Sequence, residues 1–174
     1  MIELAIDWFK QEPVHLRDYI DLFVLIFFFG VVFAAIGFLQ LGRRAGGLMY
    51  DRTRTLVEHG KIGAVSKLVI FVVGEETLYR YFGVGGAVYL FPDSSWAVLA
   101  AAVAISVPFG LLPPHNVLPL RTRVAVIIGG FILSLLYLKC GGWQGEPFKP
   151  LLFTIGAHLW VSSIITASFA YYRR

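Results

Sequence analysis

Residues 22–41 read LFVLIFFFGVVFAAIGFLQL, twenty positions without one ionisable side chain. That length and polarity match the roughly 20 apolar residues that carry an α-helix across a bilayer. Downstream lie further apolar stretches at 68–90, 96–112, 124–138 (extending to Cys140) and 151–172. The fold class expected from this pattern is all-α, a polytopic transmembrane helix bundle of about five spans. Composition points the same way. Of 174 residues, 57% are hydrophobic and only 15% are charged, well below the usual charged share of a soluble domain. Pro108 predicts a kink near the end of the third stretch. No repeat, low-complexity tract or linker divides the chain. The expected organisation is a tail at 1–21, a first span with its loop at 22–63, and a membrane core at 64–174. Within the tail, Ile2, Leu4, Ile6, Trp8 and Phe9 sit among charges, which predicts a short interfacial helix ended by Pro13.

The basic residues alternate between loops. Arg43, Arg44, Arg52, Arg54 and Lys61 follow the first stretch, Arg121 and Arg123 follow the third, and Arg173 and Arg174 follow the fifth. The connection after the second stretch has no basic residue, and the fourth has Lys139 and Lys149 around Glu146. By the positive-inside rule this predicts an N-terminus outside and a C-terminus in the cytosol of a multi-pass cell-membrane protein. The formal charge of +4 therefore reads as membrane-flanking charge. The lipid bilayer is the expected partner and nucleic acid is not. Glu3 and Asp7, where a basic region would stand, argue against a cleaved signal peptide. Cys140 is the single cysteine, so no disulfide within the chain is expected.

The second stretch contains the charges that need a reason. Glu75, Glu76 and Arg80 lie inside it, and an ionisable group at the centre of a span costs roughly 2.5 to 3.5 kcal/mol on insertion scales. On a regular helix Glu76 and Arg80 are one turn apart and suit an ion pair. Glu75 is turned about 100° from Glu76 and about 140° from Arg80, outside that pair and on the face of Tyr79 and Phe82. That makes Glu75 the candidate general base. In the last stretch Thr154, His158, Ser162 and Thr166 recur every four residues and form one polar stripe, which belongs toward the bundle interior. A histidine there is suited to donating to an oxyanion, ligating a metal, moving a proton or simply packing through hydrogen bonds. Gly30, Ala34 and Gly37 make a small-residue face for close helix packing, and Trp96, Tyr171 and Tyr172 read as interfacial anchors.

Glu75-Glu76-Thr77-Leu78-Tyr79-Arg80 matches the E-E-x-x-x-R motif of the CPBP family, the CAAX-protease and bacteriocin-processing membrane endopeptidases. Residues 130–141, from Gly130 to the exit at Lys139-Cys140-Gly141, resemble that family's penultimate helix, and His158 stands where its H-x-x-x-N motif begins. The resemblance covers about residues 64–172. In the middle motif, F-x-x-x-H, Ser106 and Phe109 fit, but Pro113 occupies the histidine position and His115 comes two residues later. Ser162 stands in place of the asparagine. The resemblance implies an intramembrane endopeptidase acting on a membrane-associated peptide or protein. Glu75 would activate a water, His115 would assist it, His158 with Ser162 would stabilise the oxyanion, and Arg80 would hold Glu76. It also implies a metal-free mechanism, so no cofactor is expected. Three alternatives remain: zinc held by Glu75, His115 and His158, a non-proteolytic membrane scaffold or partner-binding subunit, and a small proton-coupled transporter built on Glu75 and His158.

Overall fold

The computed structural model describes residues 6–8, 10–11, 13, 17–28, 31, 61–112 and 120–172. All regular structure among them is helical. Residues 6–8 and 10 are helical, as are residues 17–28 and 31. After them come α1 (Lys61–Glu76), a π-helical segment (Thr77–Gly85), α2 (Gly86–Leu90), α3 (Ser95–Leu111), α4 (Leu120–Lys139), a 3₁₀ turn (Gly142–Gln144) and α5 (Phe148–Tyr172).

From Lys61 to Leu90 the chain is one rod. Glu76, Gly85 and Gly86, at the joints between its three parts, all keep right-handed helical backbone angles. The expectation of a uniform α-helix over 68–90 is corrected here: from Thr77 the winding widens to i→i+5 bonding, and it tightens again at Gly86. Gly83 and Gly85 sit where this segment touches its neighbours. A Cβ on Gly83 would stand 3.1 Å from Ile105 Cδ1, and one on Gly85 would stand 2.9 Å from the Tyr137 hydroxyl. The rod ends at Phe91, whose backbone leaves the helical region (φ −130°, ψ 56°), as the Pro92 that follows demands.

Each later helix has a local reason for its ends. Ser94 caps α3, its Oγ accepting a hydrogen bond from the Ala97 N–H at 3.3 Å. Pro108 is accommodated inside α3, which runs on to Leu111 and stops where Leu112 turns extended (ψ 165°) ahead of Pro113. Arg121 and Arg123, expected in a loop, fall within the first turns of α4. Beyond α4 the chain reverses through Gly141 (φ 121°) and Gly145 (φ 76°), a backbone path open to glycine at little cost.

The helices pack as antiparallel neighbours, α3 on α4 most extensively, with α5 against both α4 and α1. One core cluster joins Val84, Val98, Ala102, Tyr137 and Leu138. A second, of Leu22, Leu136, Cys140 and Ala157 with Ile26 and Phe153, ties residues 17–28 to α4 and α5. Gly110 sets the α3–α4 crossing: a Cβ there would lie 2.8 Å from the Arg123 carbonyl oxygen and 3.0 Å from the Ile127 nitrogen. At the other end of α4 the buried Lys139 ammonium donates to the Trp8 carbonyl at 2.6 Å and also to that of Gln11. Those carbonyls end the N-terminal helical turn, a favourable place for a cation.

By length and composition, one helix among the described residues is long and apolar enough to cross a membrane, Thr122–Lys139 within α4; Ser95–Leu111 is apolar but shorter. Most of the 22–41 stretch and Thr166 of the polar stripe fall among residues, or side chains, outside the described set. Large apolar side chains point outward along the described helices, among them Ile70, Phe82, Tyr89, Leu90, Trp96, Phe148 and Leu152, each more than half exposed.

Candidate active site

The junction between α1 and the π-helical segment carries the ionisable cluster. Glu76 and Arg80 are both fully buried, and the Arg80 Nε lies 3.4 Å from Glu76 Oε2. The other Glu76 oxygen, Oε1, is 2.8 Å from His158 Nδ1 on α5. The second ring nitrogen, Nε2, faces Glu75 Oε2 at 3.9 Å. One carboxylate thus serves two partners from different elements, and one imidazole lies between two carboxylates. The α1–α5 contact brings together residues 82 positions apart in the chain.

Phe109 of α3 closes the cluster from a third side. Its ring lies 4.8 Å from the Arg80 guanidinium carbon, 5.9 Å from the His158 ring in an edge-on arrangement, and 5.2 Å from the Tyr79 ring. A cation over an aromatic face gains more where water is excluded, and here both groups are buried. A Cβ on Gly130 would stand 2.7 Å from the Phe109 ring, so this glycine on α4 is what lets the ring sit against the helix. The Arg80 Nε, Nη1 and Nη2 make no hydrogen bond among the described residues; the guanidinium is held by its ion pair with Glu76 and its stack on Phe109. Thr154, one turn before His158, is fully buried; its hydroxyl donates to the Leu151 carbonyl at 3.0 Å and lies within reach of Glu76.

Glu75, Glu76, Arg80 and His158 are therefore brought together. Ser162 is half-buried one turn beyond His158, and among the described residues no hydrogen bond joins its side chain to the cluster. His115, with its assisting role and its place in the zinc set, and Pro113 lie outside the described residues. Among the described residues no group of three or more His, Cys, Asp or Glu side chains is arranged to hold a metal. Two contributors were not singled out as site residues from the sequence. Thr154 belongs to the polar stripe, and its four-residue spacing from His158 was its signal. Phe109 was visible as a motif position but not as the ring that covers Arg80.

The side chains of Glu75 and His158 are the cluster's partly exposed members, at 10% and 13%. The Glu75–His158 side is therefore the cluster's open edge, with the Glu76–Arg80 pair sealed behind it. Compared with protein-family models, with curated proteins and with solved structures, the chain matches none.

Proposed function

We propose that this protein is an intramembrane endopeptidase of the CPBP type, in which Glu75 activates a water for attack on a peptide carbonyl. The observation that carries the reading is the meeting of Glu75 and His158 at the partly exposed edge of an otherwise buried ionisable cluster. The E-E-x-x-x-R resemblance supports it from the sequence side. A carboxylate and an imidazole facing each other are a general acid–base pair, and a site closed to bulk water strengthens every polar contact within it. The substrate is a peptide or protein already in or on the membrane, with the lipid bilayer as the protein's surroundings. No cofactor enters this mechanism.

The same proposal includes about five spans, with the N-terminus outside and the C-terminus cytosolic. Its supports are the alternation of basic residues between the apolar stretches and the outward-facing apolar side chains of α1, α2, α3 and α5. So many large apolar side chains on the outside suit lipid surroundings. One observation favours a second reading, a non-proteolytic scaffold of the same fold. The bond between Glu76 and His158 knits α1 to α5, and such a bond is useful to packing alone. The test is direct: purified protein in liposomes, incubated with a pool of membrane-spanning reporter peptides, yields defined cleavage products by mass spectrometry. Intact peptides after prolonged incubation would leave the scaffold reading.

A further inference from the structure

We infer that Glu76 is a positioning residue that fixes the proton on Nδ1 of His158, which makes Nε2, facing Glu75, the site's proton-relay atom. The inference deepens the endopeptidase reading and, for its catalytic half, rests on it. It starts from the 2.8 Å contact between Nδ1 and Glu76 Oε1. Glu76 is the ion-pair partner of Arg80, and a carboxylate only accepts hydrogen bonds. Nδ1 must then donate, in the neutral ring and in the imidazolium alike. The proton that can come and go is the one on Nε2. In the neutral ring Nε2 holds a lone pair and takes a proton; in the imidazolium it has that proton to give. Its neighbour at 3.9 Å is Glu75, too far for a direct hydrogen bond and close enough for one water to contact both groups.

The steps balance without a co-reactant. Glu75 takes a proton from water as the hydroxide oxygen bonds to the peptide carbonyl carbon, leaving a tetrahedral oxyanion. That proton passes from Glu75 to Nε2 through a second water touching both groups, and from Nε2 to the peptide nitrogen. The C–N bond then breaks as the C=O re-forms, and the amine leaves neutral. The new carboxylic acid gives up its proton to solvent, and Glu75 and His158 end as they began. Glu76 keeps its hydrogen bond throughout, like the orienting carboxylate of a Ser-His-Asp triad.

Imidazole ¹⁵N NMR of the purified protein tests the assignment without a substrate, His158 being identified by the signal lost in His158→Gln. A ring protonated at Nδ1 and bare at Nε2 supports the inference; a bare Nδ1 overturns it, and a ring protonated at both nitrogens overturns the relay, because Nε2 then has no lone pair to take the proton. The second arm is Glu76→Gln. Arg80 would hold the amide oxygen, turning the amide N–H toward Nδ1, so the proton should move to Nε2. For a peptide that the wild type cleaves, kcat should then fall by about 10⁴-fold with KM little changed, by analogy with the same exchange in the triad. A flipped tautomer with wild-type kcat overturns the relay. If Glu76→Gln does not fold, the wild-type spectrum still decides. A wild type that shows the protonated Nδ1 and cleaves nothing upholds the positioning role and removes the endopeptidase reading.

Discussion

His158 meets a different glutamate through each ring nitrogen, Glu76 at 2.8 Å and Glu75 at 3.9 Å, so substitutions here separate chemistry from support. His158→Ala leaves Glu76 Oε1 without its donor inside the bundle. Hydrogen bonds to charged groups contribute about 1.5–3 kcal/mol, so thermal unfolding in detergent should come at a lower temperature, and turnover should be lost. Ser162→Asn makes no such demand, because Ser162 is half-buried and apart from the cluster. Its melting temperature should stay near wild type. Retained or raised turnover in that variant would support a role for this position like that of the asparagine in the resembled family; a loss of stability would mark it as a packing site. Chelation addresses the zinc alternative. Cleavage should survive prolonged incubation with a strong chelator, and metal analysis should find well under one equivalent of zinc. Activity lost on chelation and restored by zinc would replace the glutamate-only mechanism with a metal one.

At the scale of elements, the site depends on where α3 places Phe109, and that depends on the α3–α4 crossing at Gly110. A new Cβ there would meet Ile127 Cγ1, the Arg123 carbonyl oxygen at 2.8 Å and the Ile127 nitrogen at 3.0 Å; the last two are backbone and cannot swing aside. Gly110→Ala should therefore push the helices apart and destabilise the bundle by about 1–3 kcal/mol, on the precedent of overpacked cores. Scanning calorimetry or thermal unfolding by circular dichroism checks this; an unchanged melting temperature would show that the crossing gives way easily. The extents of α3, α4 and α5 were legible in the sequence to within a few residues, because apolar runs bounded by Pro92, Pro113 and Gly141 leave little choice. The π-helical winding from Thr77 was not. Changing i→i+4 to i→i+5 bonding leaves the apolar character of the stretch unchanged, and only the relative direction of the side chains differs. The Glu76–Arg80 pair was legible as a one-turn spacing, whereas the Glu76–His158 bond joins residues 82 apart. Nothing local encodes that bond: it follows from how α1 and α5 pack. The polar stripe of α5 pointed to an inward face but not to its partner.

In the whole molecule, a sealed ion pair and the partly open Glu75–His158 contact sit inside a helical bundle that carries large apolar side chains on its outside. Topology is the first thing to follow from that. With Cys140 replaced, a cysteine at Ser94 should react with an impermeant reagent added outside intact cells, and one at Thr53 should react only after permeabilisation. Labelling of both from the same side would contradict the five-span arrangement. The central claim, however, is hydrolysis by a glutamate-activated water, and Glu75→Gln isolates it. The substitution removes the base and leaves Glu76, Arg80 and His158 in contact. The most direct measurement is cleavage of a membrane-spanning reporter peptide by wild type and Glu75→Gln, reconstituted side by side and matched for thermal stability. The account predicts product from the wild type and none above background from the folded variant; equal rates from the two proteins would contradict it.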